Sequence, residues 1–141
     1  MPEEPTTPDL EEAGRRLREA LNRGDLDAAV AMYAPDAVWD VSLLGLHEVW
    51  EGREAIRGAL EDLIAPYEDL EVVREEFRDL GSGVTLLVFL ARGRLRGSTR
   101  FVESRMASVA TWANGLIERQ TTYPDIDQAR AAAERLAQER G

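Results

Sequence analysis

The sequence contains no cysteine, which removes disulfides, thiolate nucleophiles and zinc–cysteine sites from consideration. It contains no lysine either. All 17 basic residues are arginine, so Schiff-base chemistry through a lysine amine is closed to it. Imidazole is confined to His47, and a single histidine among scattered carboxylates has no recognised metal-ligand spacing, so no metal is expected. No apolar run approaches the ~20 residues that a membrane span requires. Positive charge is scarce: 17 basic residues face 27 acidic ones, a net charge of −10. That balance argues against a nucleic-acid partner, because phosphate binding rests on clustered cations. The opening Met1-Pro-Glu-Glu-Pro-Thr-Thr-Pro has neither the basic start nor the apolar run of a secretion signal, and a cytoplasmic location is the expectation.

What is present is an ordinary globular composition, 44% hydrophobic and 31% charged over 141 residues, enough for one domain with a real core. Residues 1–8, with three prolines, are expected to form a flexible lead-in, and residues 9–141 a single domain. Asp9 stands as an N-cap, with Glu12 three residues on as in a capping box. Leu10, Ala13, Leu17 and Leu21 then follow at helical spacing until Gly24. Asp25 caps a shorter helix carrying Leu26, Ala29, Val30 and Tyr33 on one face, stopped by Pro35. Ala37–Val41 is a short strand, Ser42–Glu51 a loop, and the stretch from Gly52 to Pro66 a third helix. From Leu70 the pattern turns to strands: Leu70–Leu80, Val84–Ala91, and a long hairpin over Ser98–Tyr123. Asn114-Gly115 at its centre is the strongest short hairpin signal, since a type I′ turn demands positive φ at both central positions. Asp125 caps a last amphipathic helix over about residues 125–139. The order α-α-β-α-β-β-β-β-α, with short turns between consecutive strands, specifies an α+β fold with an antiparallel sheet.

The run Gly24–Asp40 (G-D-L-D-A-A-V-A-M-Y-A-P-D-A-V-W-D), followed by W-E-G-R-E-A-I at Trp50–Ile56, resembles the SnoaL-like proteins. These belong to the nuclear transport factor two-like superfamily, which includes ketosteroid isomerase. Glu103–Asp125 resembles the closing hairpin of that family and the start of the helix after it. The resemblance implies a cone, a strongly curved mixed or antiparallel sheet wrapped over the N-terminal helices with a pocket at its open end. It also implies a small hydrophobic ligand, no cofactor, and a homodimer through the outer sheet face. The superfamily spans isomerases, dehydratases, cyclases, epoxide hydrolases and plain binding modules, so the fold alone does not choose among them.

The catalytic positions of ketosteroid isomerase fall, without gaps, on Val41 (the base), Leu17 (the tyrosine) and near Ala107 (the acid), all apolar. Steroid-type isomerisation is therefore not implied. Asp40, beside the base position, either reaches the pocket or caps the strand end through the next loop's amides. Arg105 is expected to share a strand face with Glu103 and Ala107. If that face is concave, its guanidinium can hold a carboxylate or enolate oxygen; otherwise it pairs with Glu103 or Glu118. His47 has the one side chain titrating near neutrality, suited to proton transfer at the rim, or it is a surface residue. Tyr33, Trp39, Val41, Trp50, Ala107, Gln120 and Thr122 are the expected pocket lining, with core filling as the competing role for Tyr33 and the tryptophans. Met106 and Trp112, on the other strand phase, are expected to face a partner subunit. The resulting expectation is a proton-transfer isomerase, lyase or cyclase acting on a hydrophobic carbonyl compound through Asp40, His47 and Arg105. The alternative is a non-catalytic binding or dimerisation module.

Overall fold

A computed structural model describes residues 9–45 and 48–141. The expected lead-in, residues 1–8, and His47 lie outside the described residues. Asp9 accepts from the Glu12 amide at 3.1 Å and starts helix α1, Leu10–Asn22. Glu12 turns its carboxylate to Arg15 and Arg16 instead of closing a capping box. Asp25 accepts from the Ala28 amide and starts α2, Leu26–Val30.

Tyr33 does not belong to that helix. It opens strand β1, Tyr33–Asp40. Pro35 disfavours helical geometry at the residue before it, and the segment pairs in parallel with a distant strand instead. The loop expected over Ser42–Glu51 carries a single 3-10 turn, Ser42–Leu44, and a short strand β2, Val49–Glu51, antiparallel to β1. Helix α3 spans Arg53–Ile64. Strands β3 (Tyr67–Gly81), β4 (Val84–Leu95), β5 (Phe101–Ala113) and β6 (Leu116–Tyr123) follow as a meander, and α4 (Ile126–Arg140) closes the chain from an Asp125 cap. Between β5 and β6, Asn114 and Gly115 adopt φ of 55° and 78°, the type I′ geometry that the pair specifies.

The six strands form one sheet in the order β2-β1-β6-β5-β4-β3, antiparallel throughout except where β1 runs parallel to β6. The fold is α+β, with a mixed sheet whose concave face holds α1 and α3. Two hydrophobic clusters flank it. One joins Leu10, Tyr33, Trp39, Ile56, Leu60 and Trp112 inside the cup. The other lies on the convex face, where Ala129 and Ala133 of α4 pack on Val84, Leu86, Val88, Ala107 and Val109. Alanine on both sides lets helix and sheet approach closely, and Arg130 anchors the helix edge to Glu76 of β3.

This packing corrects the strand phase expected for β5. Ser104, Met106, Ser108, Ala110 and Trp112 face the cup, while Glu103, Arg105 and Ala107 face outward. Both phases of β5 are apolar because both faces are covered, the convex one in part by α4 of the same chain. Met106 and Trp112 therefore do not face a partner. Bulges reset the strand phase at several points, two of which shape the cup's lining. One, between Arg74 and Glu76, lets Arg74 and Phe77 both point inward. The other, between Thr111 and Trp112, brings Ile117 and Gln120 of β6 to the same side.

Candidate functional site

The cup closes around a cavity of about 280 Å³. Its walls are α1 (Leu17, Leu21), α3 (Leu60, Leu63, Ile64), β3 (Leu70, Val72, Phe77) and β4 (Leu87, Phe89), joined by Met106 and Ala110 of β5. The lining is therefore overwhelmingly hydrocarbon and aromatic, as in most small-molecule sites.

Along its floor runs one connected chain of neutral polar groups. The Tyr33 hydroxyl donates to Gln120 Oε1 at 2.5 Å, and Gln120 Nε2 donates to Ser108 Oγ at 3.3 Å. Ser108 Oγ lies 3.2 Å from Thr122 Oγ1, which accepts from Trp39 Nε1 at 3.1 Å. Separately, Trp112 Nε1 donates to Thr85 Oγ1 at 2.8 Å. Strand pairing sets these distances: Ser108 lies opposite Thr122 and Ala110 opposite Gln120 on β5 and β6, while Trp39 lies opposite Gln120 on the parallel side. Tyr33 is only 2% exposed, and burial raises its phenol pKa above the ordinary tyrosine value. The hydroxyl thus stays protonated and acts as a hydrogen-bond donor.

Five of the expected lining residues stand in the wall: Tyr33, Trp39, Val41, Gln120 and Thr122. Trp50 sits behind it, its ring 5.2 Å from that of Trp39. Ala107 is on the opposite face, fully buried under α4. Arg105 is also outside, 58% exposed in its side chain and paired with Glu75 at 2.6 Å. The phase of β5 takes both away from the cavity. Asp40 is outside as well. Its carboxylate accepts from the Ser42 hydroxyl at 2.6 Å and the Ser42 amide at 2.9 Å, and pairs with Arg119 at 3.2 Å. The bonds from Ser42, aided by Arg119 and opposed by partial burial, hold its pKa below the usual carboxylate range. That arrangement fits the strand-end cap, and a carboxylate so held is a weak base.

Ser108, Met106, Trp112 and Thr85 belong to the site and were not among the expected lining residues. The signal for them was the alternation Val84, Leu86, Val88 against the small residues of the last helix, which assigns the odd phase of β5 to the outside. Among the described residues, Glu11 is the only carboxylate in the cavity wall, at its α1 rim and 3.5 Å from Arg74. No three His, Cys, Asp or Glu side chains converge on one point among the described residues, and no described helix is long and apolar enough to cross a membrane.

The model of the SnoaL-like domain matches residues 14–120 of the chain. The chain belongs to the SnoaL-like domain family. Solved structures of similar shape agree with this SnoaL-like cone. A Catenulispora acidiphila protein with a ketosteroid isomerase-like fold, in complex with trimethylamine, superposes with a TM-score of 0.71 at 19% identity, covering 91% of this chain and 94% of that one. An NTF2-like protein of unknown function from Burkholderia pseudomallei gives 0.72 at 18%, covering 90% and 98%. A Mycobacterium tuberculosis protein in complex with estradiol-17β-hemisuccinate gives 0.69 at 20%, covering 86% and 97%. At these identities the likeness concerns the fold. No curated protein matches the chain.

Proposed function

We propose that this SnoaL-like protein binds a small, largely apolar molecule in its cone, with one oxygen of the ligand held by the polar floor. The observation that carries this reading is the neutrality of the floor. Tyr33, Gln120, Ser108, Thr122 and Trp39 offer donors and acceptors in a continuous chain. Its hydroxyl and amide groups can turn donors or acceptors onto a ligand carbonyl or hydroxyl. The steroid ester bound by the Mycobacterium tuberculosis relative is a molecule of this character.

A second reading, proton-transfer isomerisation, elimination or cyclisation, is favoured by Tyr33 alone. A buried, protonated phenol is suited to polarising a carbonyl. Among the described residues no free base stands beside it: Glu11 is at the rim in a pair with Arg74, and Asp40 and Arg105 face outward.

One experiment separates the two. Titration of 2-acetylnaphthalene by calorimetry is expected to give saturable binding with one site per chain. Incubation of the same ketone in deuterated buffer is expected to leave its methyl protons unexchanged by NMR. Protein-dependent exchange would move the conclusion to proton-transfer catalysis, and no saturable binding of apolar ketones at all would remove the ligand-binding reading.

A homodimer through the outer sheet face remains part of this reading, narrowed to the stretch beyond α4. Phe101 is 68% exposed on the outward phase of β5, and a partner surface packed against its ring would take that apolar area out of water. Sedimentation velocity at micromolar concentration is expected to show a dimer that Phe101→Glu dissociates, and a strictly monomeric wild type would sink the proposal.

A further inference from the structure

Three arginines belong to the cavity wall, and they differ in what they touch. Arg15 of α1 is engaged by Glu12 and Glu19. Arg74 of β3 reaches Glu11 at 3.5 Å and lies 5.3 Å above the Phe77 ring. Arg18 is half-buried in the seam between α1 and β3, and among the described residues no acceptor receives its hydrogen bonds. Burial and the nearby charge of Arg74 both depress its pKa, with Glu19 opposing them, so a second guanidinium is close and the one compensating carboxylate is already held by Arg15. The two carboxylates nearby are both taken, Glu11 by Arg74 and Glu19 by Arg15, in a molecule whose net charge is −10. The position is not that of a loose surface chain. Asn22, one turn further along α1, donates to the Val72 carbonyl at 3.1 Å and accepts from its amide at 2.7 Å. That clamp fixes the helix against the strand on which Arg74 stands.

A partly desolvated cation without a partner is unfavourable unless something supplies the opposite charge. We propose that Arg18, with Arg74 beside it, forms an anion subsite of the cavity, and that the ligand is an amphipathic carboxylic acid. Its apolar body occupies the cone and its carboxylate takes the planar fork of Arg18, which suits two carboxylate oxygens at once. This rests on the ligand-binding reading above and adds the charge and the end of the cavity at which it sits.

The test uses a matched pair, 2-naphthylacetic acid and its primary amide, titrated by calorimetry at pH 7, where the acid is ionised. Hydrogen bonds to charged groups make the acid bind about tenfold more tightly than the amide in the wild type. In Arg18→Gln the ratio is expected to fall to about twofold, while Arg18→Lys, which keeps charge but not the fork, retains about threefold. Raising ionic strength weakens the acid and spares the amide in the wild type, a readout independent of how any variant folds. Equal affinity for acid and amide in the wild type, or an unchanged ratio in Arg18→Gln, overturns the subsite and leaves the cavity reading standing. Failure of both probes to bind overturns both.

Discussion

The bond between Tyr33 and Gln120 joins the first strand to the last across the floor of the cavity, and a double-mutant cycle on it can be worked through in advance. Replacing Gln120 by leucine keeps the approximate volume but removes the acceptor that lies 2.5 Å from the Tyr33 hydroxyl. That hydroxyl belongs to a residue 2% exposed, so water cannot reach it well, and stranding it costs about 1–3 kcal/mol. Ser108 loses its weaker partner at 3.3 Å but keeps Thr122 at 3.2 Å, so little is added there. Tyr33→Phe instead strands the Gln120 carbonyl. Gln120 is only partly buried and borders the cavity, where water can replace the lost donor, so the expected loss is about 0.5–1.5 kcal/mol. In the double variant no polar group is left unsatisfied at this point, and removing both partners is close to neutral. The coupling energy is therefore expected near the sum of the two single losses, about 1.5–4.5 kcal/mol, at or above the roughly 0.5–3 kcal/mol seen for residues in contact. Urea unfolding of the four proteins measures it, and in a domain of 141 residues each kcal/mol corresponds to roughly 3–5 °C in Tm. If the double variant loses the sum of the single losses, the two side chains do not meet as described and the connected floor is wrong.

Other consequences can be measured with the same equipment. Ala107→Asp places a carboxylate in the fully buried layer under α4 and should cost several kcal/mol or prevent folding; if residue 107 faced the cavity, it would be tolerated. Asp40 has a folded pKa below the usual carboxylate range, so its contribution is present above the unfolded value near ~3.9 and is lost as pH falls through the lowered folded value. The stability gap between wild type and Asp40→Asn should accordingly hold steady from about pH 7 to 5 and narrow below about pH 4. A gap unchanged in acid contradicts the cap. Asn114, at φ of 55°, should tolerate glycine, whereas Asn114→Ala is expected to lose about 1 kcal/mol through the left-handed backbone. Equal stability of the two variants would exclude the I′ turn.

The features legible in the sequence are those whose causes lie within a few residues. Asp9, Asp25 and Asp125 cap helices because each carboxylate meets an amide three positions on. Asn114-Gly115 turns the hairpin because those two residues accept positive φ. The single sheet and the cone followed from such local signals together with the family resemblance, whereas the three-residue β2 (Val49–Glu51) was read as loop. The ending of the second helix was misjudged, because Tyr33 fits a helical face as well as a strand and only the pairing of β1 with β6 decides between them. For the cavity wall, Tyr33, Trp39, Val41, Gln120 and Thr122 were legible; Asp40 took the strand-end cap, the second of its two readings, and Arg105 was expected on the wrong face of β5.

Local chemistry in this chain thus determined where helices begin, where the long hairpin turns, and that disulfide, thiolate and lysine-amine chemistry are closed to it. Only the tertiary structure decided which way β5 faces, since its two phases are almost equally apolar and the choice rests on Ala129 and Ala133 of a helix that follows later in the chain. It also decided, through bulges at β3 and β6, that Arg74 and Phe77, and Ile117 and Gln120, share one side. Alternation carries a strand's phase only until a bulge, and bulges arise from pairing with a neighbour. The unpartnered Arg18 has the same origin: nothing in α1 alone distinguishes it from Arg15 or Arg16 until β3 brings Arg74 to its side.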